Sequence, residues 1–76
     1  MKSSESLLKR IEISRDILKG KPVIKGTRVP VEIILRSLAQ GMNTDEICEG
    51  YEISEEDIRA AVLYAQKIIE SETVII

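Results

Sequence analysis

The chain has 76 residues, of which 43% are hydrophobic, and it carries one cysteine, no histidine and a formal net charge of −2. A domain of this size has a core that supplies only about 3 to 5 kcal/mol, so we expect further support for the fold. Cys48 alone cannot form a disulfide within the chain, and one thiol without histidine is a poor basis for a metal site, which leaves self-association or a partner protein. Neither terminus carries an apolar run long enough for a signal peptide or a membrane span, so we expect a cytoplasmic protein.

The N-terminal third is predicted to form a small β element over residues 11–29. Residues 11–14 alternate apolar and polar side chains, which is typical of a strand. Residues 23–24 and 28–29 are the candidate arms of a hairpin, because Gly26 between them can adopt the positive φ of a tight turn. Pro30 then suits the first position of a helix.

Three helices are predicted between residues 30 and 71. Apolar residues at helical spacing place the first helix over residues 30–40, and Gly41 can end it in a left-handed cap. Thr44 is the expected N-cap of a short second helix, and Ser54 is the expected N-cap of the third. The apolar face of the second helix is expected to comprise Ile47, Cys48 and Tyr51, and the core stripe of the third to comprise Ile58, Ala61, Val62, Ala65 and Ile69.

The spacing of apolar residues in the second and third helices matches the buried positions of a helix-turn-helix motif. A glycine is usual in the turn of that motif, and Glu52 takes its place here. We therefore predict one mostly α domain over residues 1–76, with a β hairpin at 11–29, a three-helix, helix-turn-helix bundle at 30–71 and a strand-like tail at 72–76. The tail is apolar and β-branched, so we expect it to pair with residues 11–14 of the same or a neighbouring chain, as in a strand-mediated homodimer, or with an edge strand of a partner protein.

A set of glycine, proline and basic residues surrounds the predicted hairpin. It comprises Gly20-Lys21-Pro22, Ile24, Gly26-Thr27-Arg28 and Val31, followed by a helix that ends in Gly41-Met42. This set resembles domain-of-unknown-function family 433, which consists of small prokaryotic proteins predicted to be antitoxins of toxin–antitoxin pairs. The resemblance implies a homeodomain-like three-helix fold, often dimeric, and a PIN-like nuclease as the partner.

Charge is distributed unevenly along the chain. Residues 1–28 carry eight Lys or Arg against three acidic residues, whereas residues 45–57 carry seven acidic residues and no basic one. We therefore expect the two ends of the protein to present opposite electrostatic fields.

Catalysis is not expected from this set of residues. The carboxylates near Ser54 are explained by helix capping, and Cys48 is explained as a small buried hydrophobe. Gly26 is followed by Thr27 and Arg28 instead of the Lys and Ser or Thr of a phosphate-binding loop. We therefore predict a non-enzyme without a cofactor.

The acidic stretch allows two interpretations. It is either a solvated face with good helix caps, or a surface complementary to the basic rim of a nuclease, as an antitoxin would need. The residues expected to contact such a partner are Glu49, Glu52, Glu55 and Glu56, together with Val74, Ile75 and Ile76.

The basic residues also allow two interpretations, an ordinary solvated hairpin or a DNA-binding surface of a transcriptional regulator that contacts its promoter. Carboxylates at the start of the third helix disfavour reading of the DNA groove by that helix. The candidate DNA-binding residues are Arg15, Lys19, Lys21, Lys25, Arg28 and Arg59, and Arg28 has a structural alternative in an i to i+4 pair with Glu32. A purely structural dimerisation module is the third possibility, and it would bind neither nuclease nor DNA.

Overall fold

The structure, a computed structural model, describes residues 4–72. Its elements are α1 (Ser4–Leu8), β1 (Ile11–Glu12), a 3-10 turn (Leu18–Gly20), β2 (Val23–Ile24), α2 (Val31–Ala39), α3 (Thr44–Tyr51) and α4 (Glu55–Ser71). The prediction of a mostly helical domain with a short β element and three principal helices is confirmed at this level. Residues 73–76, which include most of the predicted tail, lie outside the described residues.

The two strands pair in an antiparallel sheet, with Ile11 opposite Ile24 and Glu12 opposite Val23. The hairpin predicted between residues 23–24 and 28–29 is present as one antiparallel bridge, Val23 opposite Pro30. Its hydrogen bonds run from the Ile24 N–H to the Val29 carbonyl and from the Val31 N–H to the Pro22 carbonyl, each at 2.9 Å. The strand β1 is therefore the main partner of β2. It covers Ile11–Glu12 and is shorter than the strand predicted over residues 11–14.

The turn after β2 is held by the side chain of Thr27. Its hydroxyl donates to the Ile24 carbonyl at 2.7 Å and accepts from the Val29 N–H at 3.0 Å. Gly26 has a φ of 80°, as the sequence predicted, because a side chain there would be strained. After this turn, Pro30 has an extended conformation and is the N-cap of α2.

The helix ends agree with the predicted caps at two of three sites. Gly41 ends α2 with a φ of 93°, and Ser54 begins α4 by accepting a hydrogen bond from the Asp57 N–H at 3.2 Å. The expected cap of α3 was wrong by one residue. Asn43 is the N-cap, because its side chain accepts from the Glu46 N–H at 2.9 Å while the Glu46 carboxylate accepts from the Asn43 N–H at 3.0 Å.

The core lies where α2, α3 and the first half of α4 meet above β2. Its buried hydrophobic residues are Val23, Ile24, Val31, Ile34, Ile47, Ile53, Ile58, Ala60 and Ala61. Cys48 is half-buried and packs against this cluster, as its small size suggested. Tyr51, expected on the inner face of α3, is instead 37% exposed.

The predicted core stripe of α4 was correct for its first half and wrong for its second. Ile58 and Ala61 are buried, but Val62 is 45% exposed and Ile69 is 71% exposed. For Ile69 the physical reason is length, because α4 has 17 residues whereas α2 and α3 have 9 and 8 and do not cover its C-terminal turns. Val62 lies at the edge of the buried face, beside Leu35 and Leu38 of α2.

Within residues 4–72, the chain forms no helix that combines the length and apolarity needed to cross a lipid bilayer.

Candidate functional site

The turn between α3 and α4 is built around Glu52. This residue has a left-handed conformation, with φ 56° and ψ 46°, and its N–H donates to the Cys48 carbonyl. The next N–H, that of Ile53, donates to the same carbonyl at 3.1 Å, and the Ile53 side chain is buried. Glu52 thus occupies the left-handed position where glycine is usual, and its carboxylate is exposed at the turn.

Four of the candidate partner-binding residues meet at this turn. Glu49 lies in the last turns of α3, Glu52 follows that helix, and Glu55 begins α4. The first three side chains are exposed and that of Glu56 is half-buried. We call this surface the acidic corner, which comprises Glu49, Glu52, Glu55 and Glu56.

Charge at the acidic corner is partly compensated. An oxygen of Glu55 lies 3.1 Å from Nη2 of Arg59, one helical turn further along α4. The positive end of the α4 dipole also favours carboxylates at its first turn. Glu49 and Glu52 are therefore the residues of the corner best placed to present negative charge to a partner. The predicted contacts of Val74, Ile75 and Ile76 lie outside the described residues.

Asp57 joins the acidic corner to the basic N-terminal segment. One carboxylate oxygen accepts from the Ser54 N–H at 3.0 Å and completes the capping box of α4. The other accepts from Nη1 of Arg10 at 3.1 Å, although the two residues are 47 positions apart. The side chain of Asp57 is only 14% exposed. The two charged regions, expected at opposite ends, therefore touch at this ion pair.

Three of the candidate DNA-binding residues line two different depressions. Lys25 lines a pocket with Lys9 and Arg10, beside Asp57. Lys19 and Lys21 line a different groove, next to α2. Arg15 and Arg28 are exposed, and Arg59 is paired with Glu55.

The groove next to α2 holds a small ion-pair network. Nζ of Lys21 donates to Glu32 at 2.7 Å, and Nη2 of Arg36 lies 3.8 Å from the other Glu32 oxygen. The hydrogen bond from Lys21 lowers the pKa of Glu32, and the charges of Lys21 and Arg36 act in the same direction. Glu32 thus pairs with Lys21 and Arg36 in place of the predicted Arg28.

The 3-10 turn beside that groove is strained. Leu18 and Lys19 have φ values of 46° and 57°, and Gly20 follows with 85°. Left-handed conformations at two successive residues with side chains are costly. Within this segment, Gly20 is the residue whose type favours a positive φ, so the left-handed conformations of Leu18 and Lys19 could not be predicted from the sequence.

Cys48 lies behind the acidic corner and is unsuited to nucleophilic chemistry. Burial raises the pKa of its thiol, and the nearby carboxylates, Asp45 foremost, raise it further. Because the thiolate is the reactive form, this environment makes the sulfur less nucleophilic at neutral pH.

A second surface, which the sequence assigned to the core, lies along α4. Two adjoining depressions between α2 and α4 are lined mainly by apolar side chains and share Val62 and Gln66. We call this surface the apolar groove and define it by Leu35, Leu38, Val62, Ala65 and Ile69. The apolar stripe of α4 was the sequence feature that pointed to this surface. Such a stripe does not show whether its residues are buried within the chain or against another molecule.

Comparisons with known proteins identify a family but no activity. Residues 11–65 match the family model described as "Protein of unknown function (DUF433)". One relative, "Uncharacterized protein y4eO" of Sinorhizobium fredii (strain NBRC 101917 / NGR234), is 43% identical over 54 residues. That match covers 70% of this chain and 24% of the relative, so the chain spans about a quarter of that protein's length. The comparison with solved structures found no match. The family match covers the β element, α2, α3 and much of α4, and the chain therefore belongs to the DUF433 family.

Proposed function

We propose that this protein is a non-catalytic, antitoxin-like binding protein that neutralises a PIN-like nuclease by direct contact. The observation that carries the proposal is the acidic corner. In a helix-turn-helix protein, the start of the second helix of the motif approaches nucleic-acid phosphates. Here that position carries carboxylates, which repel phosphate and attract a basic protein surface. The class of partner comes from the predicted role of the family.

The mechanism would be stoichiometric masking. The acidic corner would cover the basic, RNA-binding rim of the nuclease and imitate the negative charge of its substrate. Glu49 and Glu52 would supply most of this charge, because Glu55 already pairs with Arg59 at 3.1 Å. The segment Val74, Ile75 and Ile76 would add apolar or strand contacts.

The partner class can be tested by affinity purification of the tagged protein from its native host, with and without nuclease treatment. We expect a small nuclease-like protein to co-elute in stoichiometric amount despite the treatment. A protein that elutes with nuclease-sensitive DNA and without a protein partner would contradict the proposal.

The acidic corner can then be tested by charge reversal in the purified complex. We expect the double variant Glu49→Lys and Glu52→Lys to weaken the complex by at least about tenfold, measured by calorimetry at moderate salt. Asp16→Lys, compared with the single reversal Glu52→Lys, is the matched control, because both change the net charge by the same amount and Asp16 is an exposed carboxylate in the N-terminal loop. Equal losses in the corner variant and the control would show that net charge alone matters, which would contradict a specific role of the corner.

A DNA-binding regulator is the second candidate function. The pocket that groups Lys25 with Lys9 and Arg10 favours it, since three cationic side chains there could contact phosphates. Binding to the promoter of its own operon should then fall steeply with salt. Lys25→Glu is a cleaner test than Lys21→Glu, because Lys21 also holds Glu32 at 2.7 Å. Unchanged DNA affinity in Lys25→Glu would count against this function.

Self-association is part of the proposal, because a chain of this size has a small core. The strand-mediated dimer predicted from the sequence would use the outer edge of β1, and Ile13 just beyond β1 is 59% exposed. However, β1 has only two residues. So short an edge offers few hydrogen bonds and is a weak basis for a stable dimer.

A further inference from the structure

The apolar groove exposes side chains that a small domain normally buries. Val62 and Ile69 lie seven positions apart on one face of α4, with Ala65 between them. Leu35 and Leu38 of α2 form the opposite wall. Contiguous exposed apolar surface is a common mark of an interaction site.

The shape of this face suits a second copy of the chain. Val62, Ala65 and Ile69 follow the alternating spacing of three and four residues that two packed helices use. Ala65 at the middle of the stripe leaves room for close approach of a second helix. If a second α4 packs antiparallel about a two-fold axis near Ala65, Val62 of each copy meets Ile69 of the other. The interface is then self-complementary, as two-fold symmetry requires.

The charges beside the groove are complementary in the same arrangement. Arg59 and Glu70 lie on the same flank of the apolar stripe, near its opposite ends. Antiparallel packing brings Arg59 of one copy to within about 3 Å along the helix axis of Glu70 in the other, at 1.5 Å per residue. Within one chain, Arg59 contacts Glu55, and the contacts of Glu70 include Gln66 and Lys67. A contact between Arg59 and Glu70 of two copies would therefore add to ion pairs that each residue already forms.

From this combination of apolar spacing and flanking charge, we infer that the apolar groove is a homodimer interface formed by antiparallel packing of α4 on α4 of a second copy. This inference is independent of the proposed nuclease partner, because the side chains that define the apolar groove are not those of the acidic corner. It replaces the strand edge as the main dimer contact.

The interface is tested by sedimentation equilibrium of the full chain. We expect the unmodified protein to be a dimer at micromolar concentration, and Ile69→Glu to raise its dimer dissociation constant by at least about 100-fold. Ile13→Glu is the matched control, since it places the same charge on an exposed isoleucine outside the groove. Circular dichroism of each variant separates loss of association from loss of folding.

A charge exchange identifies the register of the two helices. We expect Arg59→Glu and Glu70→Arg each to weaken the dimer by about fivefold to tenfold, and the double variant to recover most of that loss. Recovery requires that the two side chains meet across the interface, since they lie too far apart on one helix to pair.

Three results would overturn the inference. One is an unmodified chain that stays monomeric even when its concentration is raised about 100-fold above micromolar. Another is an Ile69→Glu variant that remains both helical and dimeric. The third is dissociation by Ile13→Glu alone, which would assign the dimer to the strand edge. Failure in any of these ways leaves the nuclease proposal intact, because that proposal is measured by binding of a different protein.

Discussion

The first half of α4, up to Ala61, and the second half, from Val62 onward, carry apolar side chains at the same helical spacing but bury them to very different extents. Ile58 and Ala61 are buried against α2 and α3, whereas Ile69 is 71% exposed. The first half also has a capping box and an ion pair to the N-terminal segment. One continuous helix thus serves the fold with its buried positions and offers Val62 and Ile69 to another molecule.

The difference between the two halves of α4 is tested most directly by truncating one apolar side chain in each half. Ile58→Ala should lower the free energy of unfolding by about 2–4 kcal/mol, because it leaves a cavity in a small core. Ile69→Ala should cost less than about 0.5 kcal/mol when measured at a concentration where the chain is monomeric. Urea denaturation followed by circular dichroism measures both. Similar losses at the two sites would mean that the second half of α4 is covered within the chain.

The next largest effect is expected at Asp57, which serves both the cap and the ion pair. Asp57→Ala should lower the free energy of unfolding by about 1–3 kcal/mol, since it removes a hydrogen-bonded cap and leaves Arg10 without this partner. Asp57→Asn keeps an acceptor for the Ser54 N–H and should cost less.

Arg10→Gln is the matched control for that prediction, because it removes the charge of the pair and leaves the capping box intact. If Arg10→Gln and Asp57→Ala proved equally destabilising, the cap would contribute nothing measurable. If Arg10→Gln had no effect, the ion pair between Arg10 and Asp57 would contribute nothing measurable.

A smaller effect, of opposite sign, is expected at the turn that precedes α4. Glu52→Gly should stabilise the domain by about 1 kcal/mol, because glycine adopts a left-handed conformation without the steric penalty of a Cβ atom. Glu52→Ala keeps the Cβ atom and should give no such gain. Thermal unfolding measures the difference between the two variants. If the glycine variant also loses affinity for a nuclease partner, the Glu52 carboxylate contributes to binding at the expense of stability.

The smallest effect concerns the pH dependence contributed by Cys48. Because the folded state raises the pKa of the thiol, the neutral form is favoured on folding. The associated stability is fully present below the unfolded value of about 8.5 and is lost as pH rises through the folded pKa. We expect a slow reaction of the folded protein with a thiol reagent at pH 8, compared with the urea-unfolded chain. Equal rates in the two states would show that the thiol is neither shielded nor shifted.

The sequence predicted those features that depend on neighbouring residues. Gly26 and Gly41 have positive φ because the local turn and helix end require it, and Ser54 caps α4 because its hydroxyl reaches the Asp57 N–H three positions on. The cap of α3 was misplaced by one residue because Asn43 and Thr44 are both good capping residues. The hydrogen bond from the Asn43 N–H to the Glu46 carboxylate makes Asn43 the N-cap.

The features that could not be predicted depend on distant residues. The ion pair of Arg10 with Asp57 leaves no local signal, because the two residues meet only after the chain has folded. The pairing of β1 with β2 involves two residues in each strand, too few for a pattern to select a partner. The exposure of Ile69 depends on the lengths of the helices on the other side of the core, and the apolar spacing within α4 carries no information on those lengths.

The two roles of the Asp57 carboxylate also couple two motions of the molecule. Fraying of the first turn of α4 releases one carboxylate oxygen from Ser54, and detachment of the N-terminal segment releases the other from Arg10. Since one rigid group holds both contacts, the two openings should occur as a single cooperative event and not as independent fluctuations. Hydrogen exchange at the Ser54 amide would then report whether a segment more than 40 positions earlier in the chain is docked.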